Sequence, residues 1–228
     1  MLVKEWNELP DYMQVEEVKP YYEILRKKKG QLILKRIFDT ICSSILIVLL
    51  SPALLFISIW IKLDSKGPVF YRQERITQYG KVFRIFKFRT MVTNADKIGT
   101  LVTTQNDSRI TKVGNKIRKC RLDELPQLFN IFLGEMSFVG TRPEVQKYVD
   151  AYSTEMNATL LLPAGVTSLA SIKYRDEDEI LEQKTKLGKT IDQAYIEDVL
   201  PEKMKFNLEY INDFNIGRDL YLCMKTVI

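Results

Sequence analysis

The chain contains no histidine, and this absence excludes a large part of enzyme chemistry. Neither a Ser-His-Asp nor a Cys-His nucleophile pair can form, and imidazole is missing both as a metal ligand and as a base. Any acid, base or nucleophile must come from Asp, Glu, Lys, Tyr, Ser, Thr or Cys. The 228 residues are 46% hydrophobic and 28% charged, which is typical of a globular chain and excludes a disordered or collagen-like one.

Cysteine is scarce as well. Cys42, Cys120 and Cys223 are odd in number, far apart and in no CxxC arrangement. This pattern disfavours both a disulfide framework and a zinc site. Unpaired thiols in a reducing cytosol are the simplest interpretation.

Charge is absent from one long stretch, residues 40–61, although the whole chain carries a net charge of +5. The stretch exceeds the ~18–20 residues that suggest a membrane helix. Basic residues flank it on both sides, and no nucleic-acid-binding motif accompanies them. We therefore predict contact with anionic lipid headgroups and no nucleic-acid partner. The flanking residues are Lys35, Arg36, Lys62 and Lys66.

A proline in the middle of this stretch predicts a break in the helix. Pro52 removes one backbone hydrogen bond and clashes with the preceding turn, and the Ser51 hydroxyl can satisfy a carbonyl that the break frees. Each half is then too short to cross a ~30 Å hydrocarbon core. The positive-inside rule places both basic flanks on the cytoplasmic side, which predicts a re-entrant helix–break–helix. A kinked spanning helix is the alternative.

The remaining segments predict an α+β fold. Residues 1–34 are interpreted as an interfacial extension, with a loosely packed arm as the alternative. Residues 35–62 are the membrane segment, and residues 63–228 form a small cytoplasmic α/β catalytic domain with amphipathic interfacial helices. Strand patterns at 68–71 and 81–89 precede helical patterns from 115 onward. In the second strand Lys87 belongs either to a solvated basic face or to an anion-binding site.

One stretch, residues 118–127, combines cations, two adjacent carboxylates and a proline. A helix is predicted to begin near Pro126, with Asp123 or Leu125 as its cap. Its N-terminus and the nearby cations suit a phosphate and would keep Asp123 ionised as a nucleophile toward phosphorus. Glu124 is a candidate Mg²⁺ ligand. The alternative is that Asp123 only caps the helix and Glu124 only complements its dipole.

Six short motifs resemble, in order, those of the bacterial sugar transferases, also called monotopic phosphoglycosyl transferases. They occupy residues 35–39, 51–52, 67–70, 86–91, 122–127 and 136–143. The resemblance implies transfer of a sugar-1-phosphate from a UDP-sugar to polyprenyl (undecaprenyl) phosphate, with release of UMP. It places the reaction at the cytoplasmic face of the bacterial inner membrane, as the first step of capsule, exopolysaccharide or related glycan synthesis. A non-catalytic scaffold of the same fold is the alternative.

The resemblance also implies roles for individual residues. Asp123 corresponds to the nucleophile that becomes phosphoglycosylated, and Glu124 to the ligand of Mg²⁺. Lys35 and Arg36 correspond to the headgroup anchor, and Ser51–Pro52 to the break in the membrane helix. The residues predicted to contact the nucleotide or its phosphates are Arg118, Arg142, Lys87 and Arg175.

Two motifs depart from the family pattern. The common Gly-Pro-Arg-Pro reads Gly-Thr-Arg-Pro at residues 140–143, and a later motif is changed over residues 163–175. The identity of the sugar is therefore open. An N-acetylated hexosamine is favoured over glucose or galactose, and the sequence leaves open whether the chain forms a homodimer.

Overall fold

The computed structural model describes residues 3–95, 107–174 and 177–227. Helices and strands are mixed along the chain, in agreement with the predicted α+β class. The helices are α1 (Lys19–Lys27), α2 (Lys29–Asp64), α3 (Lys112–Lys119), α4 (Gln127–Leu133), α5 (Gln146–Val149), α6 (Leu169–Lys173), α7 (Glu177–Lys186), α8 (Ile191–Ala194), α9 (Leu200–Asn212) and α10 (Ile216–Val227). The strands are β1 (Phe70–Ile76), β2 (Val82–Phe88), β3 (Met136–Val139) and β4 (Ala164–Thr167).

Strands β1 and β2 form an antiparallel hairpin. The strand predicted at 81–89 matches β2, whereas β1 lies at Phe70–Ile76 and not at the predicted 68–71. Side chains alternate across β2, so Phe83 and Ile85 are buried while Arg84 is exposed. Lys87 has the parity of the buried pair, and its side chain is 21% exposed against 64% for Arg84. The strand therefore directs Lys87 inward, toward the turn that carries Asp123 and Glu124, and away from a solvated basic face.

Strands β3 and β4 form a separate parallel pair that ends in a close approach of two glycines. A Cβ added to Gly165 would lie 2.1 Å from the backbone nitrogen of Gly140, so no larger residue fits without a shift. The Gly165 N–H donates to the Thr141 carbonyl at 2.8 Å. The close approach of Gly140 and Gly165, together with this hydrogen bond, fixes the start of the loop at residues 141–145, which carries Arg142.

Helix α2 is long and apolar enough to be embedded in a membrane, and only 11% of its most apolar window is buried within the protein. The helical conformation continues through Pro52, so the predicted break is not a gap in the helix. Ser51 Oγ donates to the Val48 carbonyl at 2.8 Å. Val48 is the carbonyl that Pro52 leaves without its backbone donor. The break therefore amounts to one backbone hydrogen bond that a side chain replaces.

The N-terminal residues pack into the core of the protein. Tyr22 and Leu25 of α1 are buried with Tyr210 and Phe214 from the C-terminal part of the chain. The Trp6 ring lies 5.0 Å from that of Tyr22 in an edge-to-face contact. Tyr21 and Tyr22 are therefore packed inside the protein and are not at the lipid headgroups, where the interpretation of residues 1–34 as an interfacial extension would place them. Because α2 begins at Lys29, the predicted boundary after residue 34 also falls inside a helix.

The two basic residues at the start of the apolar stretch bind protein groups. Lys35 is buried and forms an ion pair with the equally buried Asp219 of α10. Arg36 donates to the carbonyls of Ile131 and Phe132, at 2.7 and 2.9 Å, in the last turn of α4. Carbonyls in the last turn of a helix lack i+4 backbone donors. The Gly134 N–H also donates to the Ile131 carbonyl at 3.0 Å, and Arg36 adds a side-chain cap to α4. The prediction that Lys35 anchors lipid headgroups is therefore wrong, because its ammonium group is buried in an ion pair. The Arg36 guanidinium donates to protein carbonyls, and its contact with headgroups stays a prediction.

The C-terminal helices form a second apolar cluster beside the first. It includes Tyr148 of α5, Tyr195, Val199 and Met204. A π-helical turn, Tyr195–Val199, joins α8 to α9. Helix α10 buries Leu222 and exposes other apolar side chains, namely Leu220, Tyr221 and Met224. Its amphipathic character agrees with the sequence pattern, and its place at a membrane interface stays a prediction.

Candidate active site

Asp123 and Glu124 lie in one 3₁₀ turn, Leu122–Glu124, between α3 and α4. Arg121 precedes this turn in the left-handed region, with φ of 52°, which reverses the chain after α3. Helix α4 has Pro126 as its N-cap, so the prediction that Asp123 or Leu125 caps it is wrong. The carboxylate of Asp123 therefore has no capping role in α4.

A cavity of about 440 Å³ opens beside this turn, with Asp123 in its wall. Asp123 is the one carboxylate among the described lining residues. A pocket with one carboxylate among several cations is electrostatically suited to a diphosphate. The cationic lining residues are Arg75, Lys87, Arg89, Arg109 and Arg118.

Glu124 faces two cations from other parts of the chain. Its Oε1 accepts hydrogen bonds from Lys87 Nζ at 3.0 Å and from Arg142 Nη2 at 2.6 Å. Burial alone would raise the pKa of this carboxyl, but Arg142 and Lys87 outweigh burial and hold the pKa of Glu124 at about 2. Glu124 is therefore ionised throughout the physiological range.

Asp123 has the opposite shift. Burial, and then the negative charge of Glu124, raise the pKa of Asp123, while Lys87 and Arg118 act against this rise. The sequence predicted that the surrounding cations would dominate, and the structure corrects that expectation because burial is the larger effect. A more basic carboxylate is also a stronger nucleophile, so the shift favours covalent chemistry at Asp123.

The acidic residues do not form a closed metal cage. The described ranges contain no cluster of three or more His, Cys, Asp or Glu side chains that could hold a metal ion. Mg²⁺ at phosphate sites commonly takes only one or two carboxylates, with phosphate and water completing its shell. Glu124 Oε2 accepts no hydrogen bond from the described part of the chain. The site thus fits a Mg²⁺ ion that arrives with a diphosphate and uses Glu124 as a ligand.

The structure brings together most of the predicted site residues. Those that meet around the turn are Asp123, Glu124, Arg118, Arg142 and Lys87. Arg175 lies outside the described residues. The four residues predicted to act in the membrane, Lys35, Arg36, Ser51 and Pro52, are all on α2, and none lines the cavity among its described residues.

The sequence reading missed three cavity residues. Arg89 is buried and donates to the carbonyls of Ser65 and Lys66 just after α2. Arg75 donates to the Pro143 carbonyl at 3.1 Å, beside Arg142. Arg109 comes from a segment without a recognised motif. Arg89 lies in the motif at residues 86–91, so the sequence carries a signal for it, whereas tertiary packing alone brings Arg75 and Arg109 to the cavity.

Comparison with known proteins finds similarity to one family of bacterial transferases. The sequence pattern described as bacterial sugar transferase matches residues 30–228. A UDP-glucose:undecaprenyl-phosphate glucose-1-phosphate transferase of Klebsiella pneumoniae is 37% identical over 202 residues, covering 86% of this chain and 40% of that protein. A UDP-N-acetylgalactosamine-undecaprenyl-phosphate N-acetylgalactosaminephosphotransferase of Aeromonas hydrophila is 33% identical, with 85% and 43% covered.

The matched relatives differ in length. This chain spans about two fifths of the two proteins just named, at 40% and 43%. The exopolysaccharide production protein ExoY of Rhizobium meliloti is 32% identical over 208 residues, and the match covers 85% of this chain and 83% of that protein. The similarity therefore extends over nearly the whole of a shorter relative.

Proposed function

The chain belongs to the bacterial sugar transferase family, and we propose that it transfers a sugar-1-phosphate from a UDP-sugar to undecaprenyl phosphate, with release of UMP. The observation that carries the proposal is the placement of Asp123 in a cavity lined by five cationic side chains, of which Lys87 is paired with Glu124 and Arg109 with Asp107. Relatives named for glucose, galactose and N-acetylgalactosamine transfer all have undecaprenyl phosphate in their names. These names support the acceptor and leave the donor sugar undecided.

The reaction proceeds by two displacements at phosphorus. In the first, a carboxylate oxygen of Asp123 bonds to the β-phosphorus of the UDP-sugar, and the bond from that phosphorus to the bridging oxygen breaks, so UMP leaves. In the second, an oxygen of the lipid phosphate bonds to the same phosphorus and the bond to Asp123 breaks. The product is a sugar linked through a diphosphate to the lipid, and Asp123 is restored.

The cations position and stabilise the phosphates in both steps. Arg118 and Lys87 interact electrostatically with Asp123, so a phosphoryl group at that carboxylate lies in their field. Arg142 reaches the same place through Glu124, to which it donates at 2.6 Å. Glu124 would hold Mg²⁺, which when bound neutralises diphosphate charge.

We also propose that α2 is re-entrant, because its two ends bind the same domain. Near its start, Arg36 caps α4. At its end, the Asp64 carboxylate accepts a hydrogen bond from the Val113 N–H of α3 at 3.1 Å. Leu54, Ile57 and Ile61 in its second half pack in one cluster with Phe88 and residues of α3. A straight spanning helix would put these ends on opposite sides of a bilayer. The cytoplasmic face then follows from the basic flanks.

Cysteine labelling tests this topology. In a variant with the three native cysteines replaced, single cysteines are placed at exposed Lys29 and Lys66, on either side of the apolar stretch. In right-side-out vesicles neither cysteine is expected to react with a membrane-impermeant maleimide. Both should react in inverted or opened vesicles, where the reagent reaches the cytoplasmic face. Labelling of the two positions from opposite faces would show a spanning helix and contradict the re-entrant arrangement.

A donor panel tests the reaction itself. Detergent-solubilised protein is supplied with Mg²⁺, undecaprenyl phosphate and UDP-glucose, UDP-galactose and UDP-N-acetylhexosamines, and UMP is quantified. We expect UMP release with one or two donors, an N-acetylated hexosamine first among them. Release with no member of a panel that also includes amino-modified donors would contradict the proposed function and favour a non-catalytic scaffold.

The pH dependence of the reaction should show an acidic limb set by Asp123. Protonated Asp123 cannot attack phosphorus, so kcat/KM should fall as the pH decreases through the pKa of this carboxyl, which burial raises above 3.8. Glu124 should stay ionised in the same range, since its pKa is about 2. The check is kcat/KM from pH 8 to about pH 3, with circular dichroism at each pH as a folding control. An acidic limb at or below the ordinary aspartate value would contradict the burial of Asp123.

A further inference from the structure

The loop that carries Arg142 also contains a buried carboxylate, that of Glu144. Glu144 is 6% exposed and lies two residues after Arg142. Its charge acts on the guanidinium groups of both Arg142 and Arg75. No hydrogen bond joins the Glu144 carboxylate to either arginine within the described ranges. A buried anion so close to two arginines is a competitor for any phosphate that they would bind.

Two residues from the C-terminal part of the chain hold this carboxylate instead. Tyr195 donates its hydroxyl hydrogen to Glu144 Oε1 at 2.5 Å, and Lys203 Nζ donates to the Tyr195 hydroxyl at 3.0 Å. The Lys203 ammonium group also lies 3.8 Å from Glu144 Oε1 and 3.1 Å from Glu177. Tyr195 and Lys203 are both buried, so the contacts are shielded from water.

The backbone places these partners. Tyr195 begins the π-helical turn that leads into α9, and Lys203 lies in the first turns of α9. A π-helical turn inside a longer helix is uncommon and often occurs at a functional site. On the other side, the Ile76 N–H of β1 donates to the Glu144 carbonyl at 2.9 Å. The Glu144 segment is therefore fixed between β1 and α9, with its carboxylate turned toward Tyr195.

We propose that Tyr195 and Lys203 are positioning residues: they bind and neutralise the Glu144 carboxylate, which leaves the Arg142 guanidinium available to Glu124 and to a substrate phosphate. The inference rests on the proposed function for the identity of that phosphate. The Arg142 guanidinium donates to Glu124 through Nη2, and its other nitrogens have no hydrogen-bond partner in the described part of the chain. Those nitrogens are the ones that Glu144 would capture if released.

Tyr195→Phe tests the proposal, because it removes the hydroxyl and keeps the buried ring. We expect the KM for the UDP-sugar and the Kd for inorganic pyrophosphate, measured by calorimetry, both to rise about tenfold, the size of a lost hydrogen bond to a charged group. The kcat value should change much less. Lys203→Gln should act in the same direction. Tyr148→Phe is the matched control, since the Tyr148 hydroxyl donates to Asp192 and its ring lies 4.5 Å from that of Tyr195.

The double variant Tyr195→Phe/Glu144→Gln separates positioning from simple structural support. Without the Glu144 charge there is no competitor for Arg142, so both constants should return to within about twofold of the wild-type values. Losses that add in the double variant, or no change in Tyr195→Phe, would overturn the proposal. If the wild-type protein turns over no UDP-sugar, the proposed function fails, and the pyrophosphate constants alone still decide the role of Tyr195. Pyrophosphate that fails to bind the wild-type protein would also overturn it.

Discussion

Asp123→Asn is expected to reduce UMP release by more than about 10³-fold, because the substitution replaces the one carboxylate among the described residues that line the cavity by an amide of the same size. A neutral amide in the same turn cannot form the acyl phosphate that links the sugar phosphate to residue 123. The cations around it remain, so binding of the UDP-sugar should persist. The measurement is the single-turnover rate of UMP formation with the best donor. Turnover within about tenfold of the wild-type rate would remove Asp123 from the role of nucleophile.

The same variant carries its own folding control. Burial raises the pKa of Asp123, so the ionised carboxylate favours the unfolded state, in which the pKa is lower, and this cost is present at neutral pH. Asn at this position carries no charge. Asp123→Asn should therefore unfold at the same or a higher temperature than the wild-type protein at pH 7. A lower unfolding temperature would mean that lost activity could reflect lost structure.

Asp219→Leu is expected to lower the free energy of unfolding by about 3–5 kcal/mol, because it removes the carboxylate that pairs with the buried Lys35 ammonium group and leaves it with the more distant charge of Asp39. Both side chains of this pair are 2% exposed. Asp219 also accepts a hydrogen bond from the Tyr210 hydroxyl at 2.8 Å, which the variant removes too. The free energy of unfolding in detergent, measured with a denaturant, checks the value.

A second variant shows whether the loss comes from the unpaired charge. In Lys35→Met/Asp219→Leu both charges are replaced by apolar side chains of similar length, and such replacements are often neutral or stabilising. The double variant should recover at least half of the lost stability. If it is as unstable as Asp219→Leu, the pair does not account for the anchoring of α2 to α10.

The parts of the fold that were predictable are those that local sequence determines. The alternation at residues 81–89 identified β2, and the long uncharged stretch identified α2. Strand β4 has only four residues and no alternation long enough to stand out. The burial of Tyr22 and Leu25 could not be predicted either, because α1 packs against α9 and against Glu155–Leu161, far along the chain. Aromatic and lysine residues beside an apolar stretch are common to interfacial and packed segments.

The candidate site divides in the same way. Asp123 and Glu124 could be predicted because they are adjacent carboxylates in a stretch of cations, and Arg142 could be predicted because it lies in a short motif. The sign of the pKa shift at Asp123 was missed, since burial depends on tertiary packing and the cations are visible in the sequence. Lys35 was misplaced for the same reason: its partner, Asp219, is 184 positions away. The network of Tyr195 and Glu144 joins residues 51 positions apart, which no spacing rule predicts.

A covalent intermediate on Asp123 can be detected by mass spectrometry of the protein after incubation with the UDP-sugar and without lipid acceptor. We expect an adduct with the mass of one sugar phosphate on the peptide that contains Asp123, formed together with one equivalent of UMP. Addition of undecaprenyl phosphate should then remove the adduct. No adduct, together with UMP release only when the acceptor is present, would contradict the double displacement and indicate direct transfer.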